Sequence, residues 1–360
     1  MKPPIFLPTT SFLLLICLTQ LSAQTELQCK TVNLPEDALH WASTFVSVPD
    51  PDTPGLILIV DPSTKTRVQI NTKTGKIERR TDGETITATR AGSWIVFEQV
   101  GGTLEAVDTK LHPFAVGDRL SATSPGSIYS GWTSDGEYFL GFGSIRGVRG
   151  QIESLNPRDV RRNFSLGFIF GEVSLDPLKL HSTHLLKPVE ENSYYLLGSQ
   201  YFASNLDGFF VADMTEDGKG SIWMVPKEAT RQPHLVKILD APLGYGNIAS
   251  LKPTGSGDKT NAVFNNLEHF IGVAGIVASE HTLHVVSREP GILADQVRWK
   301  IHTVDTSSED LSYSEEYQIP STAPHILLTA DSSHIYVLEK MKVESWGNQS
   351  IPSMKICTLN

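Results

Sequence analysis

The sequence predicts an all-β protein, because short apolar strands alternate with polar turns along almost its whole length. No stretch repeats apolar residues at positions i, i+3, i+4 and i+7 over three helical turns. The stretch Val68–Arg80 shows the pattern in its simplest form. Alternation at Val68 and Ile70 stops at an asparagine, the chain turns through a glycine, and alternation resumes at Ile77. Such period-two alternation around a short turn predicts a β-hairpin.

This hairpin recurs along the chain, which indicates a repeat architecture. Its copies begin at Val68, Leu104, Ile152, Ile222 and Ile301. A second type of hairpin, with a strongly apolar second strand, precedes these copies. Its members begin at Phe45, Thr85, Ile128, His184, Gly275 and Ile326. One hairpin of each type makes a four-stranded unit, so the last unit lacks half of its strands.

Residues 1–23 have the features of a secretory signal peptide and are excluded from the fold. Lys2 supplies a positive charge, Phe12–Leu18 is a short apolar segment, and Leu21–Ala23 is a small-residue cleavage site. The apolar segment is much shorter than the roughly 20 residues that cross a bilayer. The sequence therefore predicts a secreted or periplasmic protein whose single domain spans residues 24–360.

The two ends of this domain supply the missing strands of the last unit. Ser353–Leu359 has the character of a third strand, and Glu26–Leu34 has that of a fourth. The same segments carry Cys29 and Cys357, and an even number of cysteines in an oxidising compartment predicts a disulfide. Pairing of the terminal strands closes a ring of six units and leaves no open edge.

This arrangement resembles a β-propeller, and its blades are similar to those of the NHL, lactonase-like and quinoprotein-like propellers, in which a strand ends in Asp-x-x-Thr-Gly. The resemblance covers nearly the whole domain and concerns its architecture, since no WD dipeptide is present. It implies a six-bladed β-propeller, with seven blades as the alternative. Two insertions, Gln200–Gly220 and Asp240–Phe270, widen the hairpin spacing, and the second itself resembles a hairpin of a seventh blade.

The chain is acidic, which excludes some classes of partner. Its 30 Lys and Arg residues stand against 40 Asp and Glu residues, for a formal net charge of −10. Nucleic acids and anionic membranes are bound by clustered cations, so neither is expected as a partner. The favoured function is a secreted module that binds or scaffolds a protein or a glycan, and we expect it to be a monomer.

Histidines supply the first candidate metal site. Four of them lie near the start of a predicted innermost strand: His40, His184, His269 and His325. In a propeller these starts surround one mouth of the central channel, where neutral imidazoles can bind a transition metal such as zinc. Aligning the turns places only His184 and His325 at similar positions. The alternative is that all four are separate surface histidines.

The resemblance to lactonase-like propellers implies a second candidate metal site. In those proteins a calcium ion in the channel is held by Glu, Asn and Asp side chains. Asn265 and Glu268 lie in the second insertion and match these ligand types, although both are also ordinary loop residues. With the histidines they predict the alternative function, a metal-dependent hydrolase or lyase with its site at the channel mouth.

Two aromatic residues are candidates for ligand binding. Tyr129 and Trp132 lie beside a glycine, near a strand that is expected to face the channel. Aromatic rings at such a position can stack against a sugar, which predicts a glycan contact. The alternative is that these rings pack between neighbouring blades, because large aromatic side chains contribute much of the buried area of a core.

Overall fold

A computed structural model of the protein describes residues 25–34, 44–50, 52–53, 55–99, 103–118, 127–146, 164–188, 199–214, 220–241, 272–290, 297–323, 325–340 and 353–358. These residues form 25 strands and two short 3₁₀ helices. No helix in this part of the chain is long and apolar enough to span a membrane. The prediction of an all-β fold is confirmed.

The strands follow one another closely along the chain. The first fourteen are β1 (Thr25–Glu26), β2 (Gln28–Val32), β3 (Thr44–Val48), β4 (Leu56–Asp61), β5 (Thr66–Asn71), β6 (Lys76–Asp82), β7 (Thr85–Ala91), β8 (Trp94–Gln99), β9 (Thr103–Val107), β10 (Pro113–Asp118), β11 (Ser127–Ser134), β12 (Tyr138–Arg146), β13 (Phe164–Leu175) and β14 (Leu178–Pro188). The others are β15 (Phe202–Ser204), β16 (Gly208–Met214), β17 (Gly220–Pro226), β18 (Val236–Asp240), β19 (Gly272–Ser279), β20 (Thr282–Pro290), β21 (Val297–Asp305), β22 (Tyr313–Ile319), β23 (His325–Ala330), β24 (His334–Lys340) and β25 (Met354–Thr358). The 3₁₀ helices are η1 (Ser199–Tyr201) and η2 (Lys227–Ala229).

These strands assemble into five sheets. Three sheets have four strands, in the orders β3-β4-β5-β6, β15-β16-β17-β18 and β2-β25-β24-β23. The fourth sheet has the order β1-β22-β21-β20-β19, and the fifth has the order β10-β9-β8-β7-β11-β12-β13-β14. The two halves of the eight-stranded sheet join through one parallel pair, Ser134 with Ala91. Each half is therefore an antiparallel four-stranded unit of its own.

One strand of each four-stranded unit lies on the inside of the molecule. These inner strands are β3, β7, β11, β15, β19 and β23; each contacts the next, and β23 contacts β3. Because the inner strands are neighbours, each sheet packs its faces against the sheets on either side. This radial packing is typical of propellers and leaves only short edges exposed.

The turns are built on aspartate and asparagine side chains, which explains the polar residue that ends many strands in the sequence. After four inner strands a side-chain oxygen accepts a hydrogen bond of 2.8–2.9 Å from the backbone N–H two residues further on. The acceptors are Asp50, Asp135, Asn205 and Asp331. Such a bond stabilises a tight turn from local sequence alone.

The hydrophobic core lies between the sheets. Leu58 and Phe97 are fully buried where β4 and β8 face each other. Phe170 and Phe209 meet edge to face between β13 and β16, with ring centroids 5.3 Å apart. Each side chain of this size stabilises the fold by roughly 1.5–3 kcal/mol on burial. Packing between sheets is therefore what holds the units together.

The two ends of the described chain meet in one sheet. Strand β2 pairs antiparallel with β25, with Cys29 opposite Cys357. The two cysteines form the predicted disulfide, which links positions 328 residues apart. Strand β1 instead pairs in parallel with β22 in the neighbouring sheet. Leu27, between β1 and β2, is buried, and its N–H donates a 3.0 Å hydrogen bond to the Gln318 carbonyl.

Two of our strand assignments from the sequence are wrong. His184 does not begin an inner strand, because it lies in β14, the last strand of its sheet, which pairs with β13. Gln200–Gly220 is not an insertion, since it contains β15 and β16 of a regular sheet. Period-two alternation identifies strands but does not say which strands pair. Of the second predicted insertion, residues 242–270 lie outside the described residues.

Candidate functional site

The inner strands surround a cavity of about 790 Å³. Residues of all six inner strands line its wall, and its volume is within the range of small-molecule binding sites. One end, which we call the turn end, is formed by the turns that follow β3, β7, β11, β15 and β19. The cavity is the concave feature on which a functional site can be built.

Hydroxyl groups line much of the wall and join neighbouring inner strands. The hydroxyls of Thr44 and Thr87 lie 2.8 Å apart between β3 and β7. Thr133 donates to Ser204 at 3.0 Å between β11 and β15. Thr329 on β23 accepts a 2.9 Å hydrogen bond from a backbone N–H of β3. These bonds hold the wall in one arrangement, so the cavity is preformed.

The charged side chains that line the described cavity wall all lie at the turn end. Lys227 of η2 forms an ion pair with Asp135 in the β11–β12 turn and lies 4.5 Å from the ring centroid of Phe209. Burial lowers the pKa of the Lys227 ammonium, but the carboxylate in contact with it favours the charged form. This pair neutralises one cation of the turn end and joins two neighbouring units.

Arg90 is the second cation at the turn end. Its side chain is exposed and lines the cavity, and its Nε donates a 3.1 Å hydrogen bond to the Gly92 carbonyl. Burial lowers the pKa of the Arg90 guanidinium, while attraction to the Asp331 carboxylate opposes that change. An arginine remains charged at neutral pH despite such a shift. Arg90 is therefore a positive charge at the turn end of the cavity.

The turn beside Arg90 is closely packed. Gly92 has a φ of +61°, and a Cβ atom on it would lie 2.2 Å from the backbone carbonyl oxygen of Asp135. Only glycine combines this conformation with so close an approach. The Arg90 side chain, bonded to the Gly92 carbonyl, is thus held by a turn that packs directly on the next unit.

A second polar cluster connects the β15–β16 and β19–β20 turns. His281 Nδ1 lies 3.0 Å from both carboxylate oxygens of Asp207. Thr306 donates to Asp207 Oδ2 at 2.5 Å and accepts a 2.8 Å hydrogen bond from Asn205. The cluster fastens two neighbouring units at the turn end. His281 is about half exposed, whereas His284, three residues further on, is fully buried.

A buried polar network crosses β20, β21 and β22. Ser287 Oγ lies 3.0 Å from His302 Nε2, and His302 Nδ1 lies 3.6 Å from Glu316 Oε2. Lys300 pairs with Glu316 at 2.7 Å. Burial would lower the pKa of Lys300, but hydrogen bonds to its carboxylates outweigh that effect and raise it. Serine, histidine and glutamate also occur in catalytic triads. Ser287 has no solvent exposure, so a substrate cannot contact it, and the network instead connects the strands.

The described residues do not assemble the predicted metal site. His184 is exposed on the outer strand β14, and its Nδ1 lies 2.8 Å from the Thr183 hydroxyl. His325 begins the inner strand β23, as predicted. Asn265 and Glu268 lie outside the described residues. No group of three or more potential ligands is found within the described ranges. The metal site, calcium or zinc, and the hydrolase or lyase activity built on it stay predictions.

The two predicted sugar-binding aromatic residues lie on the inner strand β11. Trp132 lines the cavity, but only 4% of it is exposed, and it packs with Ala91, Phe139 and Leu180. Because its ring faces are covered, the structure favours the packing alternative for Trp132. The side chain of Tyr129 is not among those described.

Arg90 is the residue of this site that sequence reasoning missed. It is the only arginine or lysine in the hairpin that runs from Thr85 to Phe97. A search for charged residues at the ends of inner strands would have found it. We instead looked for histidines at the starts of those strands, which is where a metal site was expected.

Comparison with known proteins finds similar structures but no related sequence. No protein-family model matches the sequence, and no curated protein matches it in sequence. A Bacteroides fragilis protein described as exported has a TM-score of 0.50 and 11% identity, over 95% of this chain and 98% of its own. The Cps50 (Swd1) β-propeller domain of Myceliophteria thermophila has a TM-score of 0.47 and 7% identity, over 92% and 100%. The RRP9 WD40 repeats have a TM-score of 0.44 and 8% identity, over 93% of this chain and 99% of their own.

The protein is a β-propeller. The radially packed four-stranded units define this class, and the likeness to the exported Bacteroides fragilis protein agrees with it. At 11% identity the likeness extends to the fold alone. Function has to be argued from the cavity and its residues.

Proposed function

We propose that this protein is a secreted, six-bladed β-propeller that binds a protein or glycan partner at the turn end of its cavity. Six blades are supported by six units of four strands: three separate sheets, the two halves of the eight-stranded sheet, and β19–β22 of the five-stranded sheet. Closure of the ring is supported by the contact of β23 with β3 and by the pairing of β2 with β25. Secretion is supported by the Cys29–Cys357 disulfide, a feature of oxidising compartments.

The observation that carries the proposal is a preformed, 790 Å³ cavity that opens beside an exposed apolar side chain. Leu206 lies in the β15–β16 turn, lines the turn end, and has 63% of its surface exposed. Its backbone N–H donates a 3.0 Å hydrogen bond to the Glu280 carbonyl of the neighbouring turn. A large apolar side chain at the rim of a cavity, on a turn whose backbone is hydrogen-bonded to its neighbour, is a suitable contact for a partner.

A pair of matched variants tests this proposal. Leu206→Glu places a charge at the turn end, whereas Val236→Glu places the same charge on β18, at another exposed aliphatic residue. Purified wild-type protein and both variants are applied to a glycan array and to fractionated secreted proteins. We expect a saturable partner that Leu206→Glu loses and Val236→Glu keeps. Equal binding by both variants, or no partner for the wild type, contradicts the proposal.

A further inference from the structure

We propose that the turn end of the cavity binds the single carboxylate of a small molecule, with Arg90 as its anchor. This inference rests on the proposed function, because it names the chemistry that the same site recognises. It concerns a group of the ligand rather than the whole partner. The ligand can be free, or it can be the acidic sugar of a glycan.

The geometry of Arg90 suits a carboxylate. Its Nε is bonded to the Gly92 carbonyl, which orients the plane of the guanidinium. Within the described ranges, no carboxylate lies within ion-pair distance of Arg90, and its terminal nitrogens make no hydrogen bond. Two parallel N–H groups in a planar fork match the two oxygens of a carboxylate. The Asp331 carboxylate attracts the Arg90 guanidinium electrostatically but does not form an ion pair with it.

A buried hydroxyl beside Arg90 also lacks a partner. Thr89 lines the cavity and is 7% exposed, and its Oγ1 has no hydrogen-bond partner in this part of the chain. An unpaired buried hydroxyl is unfavourable, because it has lost its hydrogen bonds to water. A ligand oxygen that accepts a hydrogen bond from the Thr89 hydroxyl would supply the missing partner. Thr89 and Arg90 are consecutive residues of β7, so their side chains leave opposite faces of the strand, and both line the cavity.

The charges around Arg90 favour one negative charge over several. Lys227 is already neutralised by Asp135, and Glu280 adds a carboxylate to the lining of the turn end. The whole chain has a formal net charge of −10. A phosphate dianion or a polyanion would be repelled by these charges, whereas a single carboxylate requires only the Arg90 guanidinium. The volume of 790 Å³ accommodates a monosaccharide or a molecule of similar size.

Two matched pairs of probes test the proposal by calorimetric titration of the purified protein. D-Glucuronate is compared with uncharged D-glucose, and hexanoate with 1-hexanol, so that the arms distinguish a hydroxylated ligand from an apolar one. We expect saturable binding of at least one acid and at least tenfold weaker binding, if any, of its neutral counterpart. Arg90→Gln should weaken binding of that acid by at least about tenfold. Arg231→Gln, at an exposed arginine away from the cavity lining, should change it by less than about twofold.

Arg90→Lys keeps the positive charge but lacks the planar guanidinium. It is the substitute test if Arg90→Gln does not fold. We expect it to weaken binding of the acid by roughly threefold or more. Absence of acid binding in the wild type, or unchanged binding in the folded Arg90 variants, overturns the inference. Retained capture of a partner by Arg90→Gln, with loss in Leu206→Glu, would leave the proposed function in place. If Arg90→Gln loses acid binding but no partner is found for the wild type, the carboxylate site stands and the proposed function fails.

Discussion

His284 on β20 is a buried base for which the described part of the chain supplies no hydrogen-bond partner. It has no solvent exposure, and neither of its ring nitrogens is bonded within the described residues. Burial lowers its pKa to about 4, because a charged imidazole cannot be solvated between the sheets. The folded protein therefore holds His284 in its neutral form at physiological pH.

Replacing His284 by leucine should remove an acid-dependent loss of stability. In the unfolded chain the His284 imidazole is protonated below pH 6.5. In the folded chain it stays neutral until the pH approaches its lowered pKa of about 4. Stability due to neutral His284 is complete above pH 6.5 and falls by roughly 3 kcal/mol as the pH approaches 4. We expect His284→Leu to match or exceed wild-type stability at neutral pH, since it also removes two unpaired nitrogens.

Urea unfolding at several pH values between about 4 and 7 measures this effect. His284→Leu should have a smaller slope of unfolding free energy against pH than the wild type. His234→Leu, at an exposed histidine, should keep the wild-type slope. An unchanged slope in His284→Leu would show that another group is responsible for acid sensitivity.

The hairpin turns are the elements that local sequence specifies best. Residues such as Asp50 and Asp331 end a strand and bond the backbone two residues on, so the turn is determined within four residues. Sequence reasoning found most of the hairpins for this reason. It missed the β15–β16 hairpin and gave β14 a wrong partner, because the choice of partner is decided by packing between sheets. Local alternation contains no information about that packing.

Gly92→Ala tests how tightly one such turn packs on the next unit. The substitution introduces a Cβ at a φ of +61° and 2.2 Å from the Asp135 carbonyl oxygen. We expect the free energy of unfolding to fall by about 1–3 kcal/mol. Ser93→Ala, at the exposed neighbouring position, should be close to neutral. Thermal unfolding compares the two variants, and equal midpoints would mean that the turn relaxes without cost.

The whole molecule brings together residues that are far apart in sequence, which limits what sequence can predict about its site. Arg90 and Glu280 line one end of the same cavity although 190 positions separate them. The sequence predicted the cavity, because repeats of this kind enclose one, but the residues that fill its mouth depend on the exact strand order. The disulfide was easier to predict from the sequence, since the two cysteines of the domain, Cys29 and Cys357, allow only one pairing.

Removing the disulfide should weaken the link between the paired strands β2 and β25. The bond joins positions 328 residues apart, so its loss frees a long loop in the unfolded state. We expect Cys29→Ser/Cys357→Ser to lower the free energy of unfolding by roughly 2–5 kcal/mol. Urea unfolding of this double variant against the wild type gives the value. If unfolding is unchanged, the β2–β25 pairing and its packing suffice alone.

The path of the N-terminal strands has a mechanical consequence. The chain pairs with β22 of one sheet through β1, passes the buried Leu27, and continues into the neighbouring sheet as β2. A force that pulls on the N-terminus is thus resisted first by hydrogen bonds loaded along the strand direction, and then by a covalent bond to the last strand. The segment therefore connects two neighbouring sheets. A tether attached there would transmit tension to two neighbouring sheets instead of peeling away a single strand.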